Sequence, residues 1–249
     1  MKREKKSQYS FEKKIKMTKF SILSENITLK MRCIVVDYMI ELCYKCQLKD
    51  CTLHTSVILH DKYISLKKDI KPEDYQKIAV TSLMIASKLK EYSILGIEEC
   101  MTFCNNIYTA SQIRECEHDM ILELKFDILV PDLYSFFARN IAQDTDFITM
   151  FYLDSCLLDI DILYAFNFEE IVDACNSLSK KLDNNGSIHE NIQQYTALQK
   201  QIKESVKKYE ITYDAASRKY TNDIERMKKS QLKKRKFSSQ EITDAHKKS

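Results

Sequence analysis

An all-α fold is predicted from three observations. The 249 residues include only 2 Gly and 2 Pro, where an average chain of that length carries about 17 and 12. Apolar residues recur at spacings of three and four, the helical period. The tetrad Thr109-Ala-Ser-Gln112 has the form of a capping box, a helix-starting signal. Hairpins and phosphate-cradling loops both draw on glycine, for positive φ and for close backbone approach. Gly96 and Gly186 stand far apart, which excludes dinucleotide folds, P-loops and most β architectures.

Residues 1–25 read as a basic arm or a short helix, with Phe11 and Ile15 as apolar anchors. From Asn26 or Thr28 to about Lys45, the positions Met31, Val35, Tyr38, Met39 and Leu42 form one helical stripe. A second helix is predicted from Leu53 to Ser65. Pro72 suits the first turn of a third, where a missing N–H costs nothing. That helix contains Ile78-Ala-Val-Thr-Ser-Leu-Met-Ile-Ala86, uncharged on every side, and so belongs at the centre of a bundle. A short helix follows over Ile97–Asn105. The helix opened by Thr109 aligns Ile113, Cys116, Met120, Ile121 and Leu124.

Leu129-Val-Pro131 breaks the period, because proline biases Val130 toward extended geometry. We place a domain boundary there, giving domains over 26–130 and 131–225. Beyond it, a helix starts over Leu133–Asn140, the run Phe147–Leu163 is strongly apolar, and Phe168–Leu182 reads as a helix ending at the turn Asp183-Asn-Asn-Gly186. Residues 187–236 are polar and helical without a wide apolar stripe, either a solvated helix or a marginally ordered segment, and residues 226–249 read as a basic, disordered tail.

Charge is segregated along the chain. Residues 1–19 carry +6 and residues 226–249 carry +7, which leaves about −10 for residues 20–225 once the net +3 is met. A nucleic-acid-binding body has the opposite distribution, so no direct nucleic-acid contact by the folded part is expected. No apolar run of about 18 residues is present, so no membrane partner is expected. The start Met1-Lys-Arg-Glu-Lys-Lys6 has no apolar core of a secretory signal, and the odd total of 9 Cys fits reduced thiols inside a cell.

Four segments, in order and over about 100 residues, carry a family resemblance. Met31-Arg-Cys-Ile-Val-Val-Asp-Tyr-Met-Ile-Glu41 resembles the first-helix signature of the cyclin box. Leu59-His-Asp-Lys-Tyr-Ile-Ser65 resembles the second, and Ile85-Ala-Ser-Lys88 the end of the third. Tyr108 through Glu117 to Leu124-Lys-Phe-Asp127 resembles the fourth and fifth elements. The resemblance implies a cyclin-like five-helix bundle. Tyr152–Leu182 is similar to the opening of a second cyclin fold and Asp214-Ala-Ala-Ser-Arg-Lys-Tyr220 to its closing motif, with too few residues between them for every helix. A second, degenerate or truncated cyclin-like domain is therefore expected.

Arg32 and Asp61 fall on adjacent helices. They are read as a buried ion pair fixing helix register, against the alternative of two solvated charges. Lys88 and Glu117, on sequence alone, are exposed charges or an internal salt bridge. The resemblance implies instead that they grip a cyclin-dependent protein kinase beside its C-helix, with Leu89, Ile121, Phe126 and Ile128 packed around the contact. It also implies a docking patch for short basic-hydrophobic motifs of substrates or inhibitors at Met31, Ile34, Val35, Tyr38, Glu41 and Gln76. Tyr38 stands where the family has Trp, so the groove is expected to be shallower and more polar at one end; the bland alternative is that Tyr38 only covers its helix. Leu89-Lys90-Glu91 departs from the family's aromatic-Glu-Glu, reversing one charge beside the kinase surface.

Cys43, Cys46, Cys51 and His54 are spaced loosely like a zinc knuckle, but they fall at the end of one helix and inside the next. Buried thiols are the better reading, and no metal or cofactor is expected. Five scattered histidines assemble no catalytic triad, so the chain is read as a regulatory subunit and not an enzyme. Lys233-Lys-Arg-Lys236 resembles a nuclear import signal; a solubilising tail or non-specific nucleic-acid contact is the alternative. The expected function is activation of a cyclin-dependent kinase in cell-cycle control, in the nucleus with cytoplasmic shuttling. The alternatives are a cyclin-fold transcription adaptor and a non-activating scaffold.

Overall fold

The structure is a computed structural model that describes residues 23, 26–67, 69–140, 147–183, 196–210 and 212–221. All but residue 23 of the predicted arm over 1–25, residues 184–186 of the predicted turn Asp183–Gly186, and the basic tail with Lys233, Lys234, Arg235 and Lys236 lie outside the described residues. Among the described residues every regular element is helical.

Helix α1 spans Leu29–Lys45, capped by Thr28, whose Oγ1 accepts from the Met31 N–H at 3.3 Å. Helix α2 spans Asp50–Leu66 and begins three residues before the predicted Leu53. No local side chain caps it; Glu91 does so from the end of the next helix. Its Oε1 accepts from the Lys49 N–H at 2.7 Å and the Thr52 hydroxyl at 2.6 Å, which satisfies donors a helix start leaves open. Pro72 lies in a 3-10 turn, Pro72–Asp74, that leads into helix α3, Tyr75–Lys90, rather than in its first α-helical turn. Helix α3 is buried along its apolar run and packs on α1, α2, α4 (Ile97–Phe103) and α5 (Ala110–Glu123). Its position at the centre follows from having no polar face to give to water.

Three helices end in the left-handed region without glycine. Gln47, Asn105 and Lys125 have φ of 54°, 50° and 52°. Each sits in a Schellman pattern: at α1, for example, the Gln47 N–H donates to the Tyr44 carbonyl at 3.2 Å and the Leu48 N–H to the Cys43 carbonyl at 3.0 Å. The scarcity of glycine thus marks helices, but it does not remove the turns between them.

Helices α6 (Leu133–Asn140), α7 (Phe147–Leu158), α8 (Ile160–Ala165), α9 (Phe168–Asp183) and α10 (Thr196–Glu210) follow, with a last helical segment over 215–221. The apolar run Phe147–Leu163 is interrupted by Asp159, whose Oδ1 accepts from the Asp161 and Ile162 N–H groups at 3.0 and 3.3 Å and starts α8. Leu198, Ile202 and Tyr209 give α10 a narrow buried stripe, set against α7 and α9. One hydrophobic core runs across Pro131, joining Ile58 and Leu83 to Leu133, Leu157 and Ile171.

A buried polar network closes the seam. Lys219 Nζ lies 2.5 Å from Asp50 Oδ1 and 2.7 Å from Asp154 Oδ2. His54 Nε2 sits 2.9 Å from Asp154 Oδ1, and the Tyr220 hydroxyl donates to Asp154 Oδ2 at 3.0 Å. Burial pushes the Asp154 carboxyl up, but Lys219 and His54 prevail and hold it at about 2 against an ordinary 3.8. Its native pKa is depressed, so its stabilisation is complete above about pH 4 and fades as the pH falls toward 2. That loss should amount to about 2 kcal/mol in urea titrations. In Lys219→Met the main cause of the depression is gone. The variant should be less stable at neutral pH and flatter between pH 4 and 2; an unchanged acid slope would contradict the assignment.

Candidate functional site

The charged pair singled out above comes together at the edge of the bundle. Lys88 is in the last turn of α3 and Glu117 is midway along α5; Nζ and Oε1 are 2.5 Å apart. The side chains are 39% and 17% exposed, so the pair is reachable from solvent. Each charge here satisfies the other, the internal salt bridge that the residues alone allowed.

Apolar residues gather on the same helix end. Ile121 lies one turn beyond Glu117 and on its face; Leu89, Ile121 and Ile128 are partly buried against the core. Phe126 projects, 69% exposed, as do Leu122 and Leu129, which the sequence reading had not singled out. Phe126 follows Lys125 in the left-handed region, with φ of 59°, a conformation that costs a non-glycine residue about 1–2 kcal/mol. The turn is held by the Phe126 N–H on the Ile121 carbonyl at 3.0 Å and by Lys62 Nζ on the Asp127 carbonyl at 2.7 Å. The turn thus presents the Phe126 ring to solvent just beyond the end of α5. Two successive left-handed residues without glycine leave no trace in sequence.

Arg32 and Asp61 are both fully buried. Nε lies 3.1 and 3.2 Å from the two carboxylate oxygens and Nη2 lies 2.6 Å from Oδ2. Nη1 donates to the Leu158 carbonyl at 3.2 Å and the Tyr164 hydroxyl donates to Asp61 at 2.7 Å, so the pair ties α1 and α2 to α7 and α8. Arg32 holds the Asp61 carboxyl well below the ordinary range despite its burial, and Asp61 raises the guanidinium in turn. The pair serves structure, not catalysis.

The six residues of the docking patch divide. Ile34 is 49% exposed, Met31 and Tyr38 are partly buried, and Val35 is buried in the core. The Tyr38 hydroxyl donates to the Phe103 carbonyl and is hydrogen-bonded to Gln76, so its polar end turns inward. Glu41 is taken up by Lys45 at 2.6 Å and by Arg218, from the closing segment, at 3.7 Å. The charge-reversed Lys90 reaches Asp132 at 3.7 Å, while Glu91 caps α2.

The knuckle-like residues point apart. Cys43 is buried on α1, His54 faces Asp154, and Cys46 and Cys51 are partly exposed. Burial raises all three thiols. It also holds Cys100 at about 12 and Cys104 at about 11, which leaves them protonated and unreactive at neutral pH. Among the described residues no group of three or more His, Cys, Asp or Glu could hold a metal, and no helix is long and apolar enough to cross a membrane.

Comparison with known proteins bears on the family and the fold. The family model "Cyclin, N-terminal domain" matches residues 4–129, just over half of the chain. Cyclin-B2-2 of Oryza sativa subsp. indica is 30% identical over 148 residues, 57% of this chain and 35% of that protein. G2/mitotic-specific cyclin-B2 of Homo sapiens is 28% identical over 174 residues, 67% of this chain and 43% of that protein. The chain thus spans well under half the length of these relatives. Among solved structures, a viral cyclin from herpesvirus saimiri superposes with a TM-score of 0.61 at 18% identity, covering 78% of this chain and 87% of that one. A chain of the yeast RNA Pol II CTD kinase CTDK-1 complex superposes with a TM-score of 0.58 at 13% identity, covering 80% and 74%. At these identities the superpositions speak to the fold alone.

Proposed function

Because the chain belongs to the cyclin family, we propose that it is the regulatory subunit of a cyclin-dependent protein kinase, which it binds and activates through the α3–α5 surface. The observation that carries this reading is the exposed Phe126, held out on the strained turn that follows the helix bearing Glu117. A projecting aromatic ring following the helix that carries a solvent-reachable ion pair offers the composition of an interface hot spot: the apolar part supplies affinity and the charges set register. On binding, Lys88 and Glu117 exchange their mutual bond for backbone carbonyls and N–H groups of the partner. An exposed pair contributes only about 0–1 kcal/mol, so little opposes that exchange.

Activation is differential binding. The chain prefers the kinase state with its C-helix turned inward, and catalytic residues belong to the kinase. Shifting that state from 1:99 to 99:1 takes about 5.5 kcal/mol of preference, within reach of an interface of about 1,600 Å². The relatives named for mitosis support a role in cell-cycle control. Lys233, Lys234, Arg235 and Lys236 support nuclear import, and the exposed Ile34 supports docking of short motifs on α1.

The test is affinity purification of the full chain, identification of the kinase that accompanies it, and phosphotransfer by the recovered pair. Phosphotransfer well above that of the kinase alone is expected. A stable pair without it would make the chain a scaffold. Recovery of DNA-bound complexes with no kinase would favour the transcription adaptor, against which the net charge of about −10 over residues 20–225 argues.

A further inference from the structure

A cavity of about 400 Å³ opens between α6, α8 and the start of α9, wholly outside the residues matched by the family model and sharing no residue with the α3–α5 surface. Its volume is within the range of ligand-holding clefts, about 300–1,000 Å³. Four apolar side chains, Phe136, Leu163, Phe166 and Phe168, are part of the lining, with Phe136 and Phe168 edge to face at 6.0 Å. Tyr164 lines it as well, and its hydroxyl is already committed to Asp61. The carboxylates of Glu169, Glu170 and Asp173 share the lining.

The two glutamates have a structural reason to be there, since they sit in the first turn of α9 and Glu170 accepts from the Asn167 N–H at 3.0 Å. Asp173 has none of that kind. It lies a turn further on, and burial pushes its carboxyl up. Lys180, two turns along α9, acts on Asp173 and opposes the upward push of burial, while Glu170 is engaged by the Asn167 N–H. The aromatic wall meanwhile already takes a guanidinium from its own helix, with Arg139 stacked 4.9 Å over the Phe136 ring.

We propose that this cavity docks a linear peptide of a partner protein that presents an arginine or lysine next to an apolar side chain. The apolar residue enters between the phenyl rings, and the cation meets Asp173 and the glutamates. Stacking of a cation on an aromatic face and pairing with partly desolvated carboxylates both favour arginine. The three carboxylates repel phosphate, so nucleic acid does not fit. A lone metal ion would leave the phenyl rings unused.

The test is fluorescence anisotropy of the full chain with a labelled peptide bearing one Arg-Phe pair in an otherwise Gly-Ser sequence. Saturable binding is expected. It should weaken about tenfold or more when the peptide's Arg becomes Glu, when its Phe becomes Gly, or when Asp173→Lys reverses that charge. If Asp173→Lys lowers the melting temperature, Asp173→Asn serves in its place and should weaken binding in the same direction. No saturation up to about 1 mM, equal binding of the Arg and Glu peptides, or indifference to both Asp173 variants would each overturn the proposal. None of these outcomes depends on kinase activation.

Discussion

Asp61→Ala should destabilise the fold by about 3–5 kcal/mol, the usual consequence of stranding one member of a buried ion pair. The reason is an inventory of donors. With the carboxylate gone, the fully buried Arg32 guanidinium keeps one acceptor, the Leu158 carbonyl at 3.2 Å, and loses three contacts of 2.6 to 3.2 Å. The Tyr164 hydroxyl and His60 Nδ1, at 2.7 and 3.2 Å from Asp61, lose their partner as well. Domains of this kind are stable by about 5–15 kcal/mol in all, so the variant should unfold at a much lower urea concentration. Removing both charges with Arg32→Met and Asp61→Leu should cost far less, because no charge is then left in the core. A loss below about 1 kcal/mol for Asp61→Ala would mean that the pair is solvated.

Phe126→Ala should show the reverse profile. The ring is 69% exposed, so its loss should change stability by no more than about 0.5 kcal/mol. Binding of the kinase should weaken by about 2 kcal/mol or more, some 30-fold, if the ring is the anchor of the interface. The two assays separate the roles: thermal melting of the free chain, and titration of the kinase with the chain. Loss of stability without loss of affinity would return Phe126 to an ordinary surface residue.

Much of the fold was readable from local signals. Thr28 and Thr109 stand at the starts of α1 and α5, and the uncharged stretch of α3 marks the centre of the bundle. These signals survive because caps and periods act within a turn or two of chain. What was hidden depends on partners distant in sequence. The early start of α2 is set by Glu91, some forty positions on, whose bonds to Lys49 and Thr52 no pattern near Asp50 discloses. The Asp154–Lys219–His54 network joins three elements, and its one local trace is a charge inside the apolar run Phe147–Leu163. For Lys88 and Glu117 an internal salt bridge is one of two readings of the residues alone, and their separation carries no periodic sign that would choose it. Phe126 is singled out by resemblance, but its outward pose rests on backbone angles that sequence does not spell.

The central claim concerns two charges on one surface, and one measurement addresses it most directly: the phosphotransfer rate of the partner kinase reconstituted with wild-type chain and with Lys88→Ala/Glu117→Ala, melting temperatures recorded in parallel. Since the exchanged pair is solvent-reachable, the double variant should melt within a few degrees of wild type and leave the kinase at its unaided rate. Full activation by a folded double variant would contradict the account.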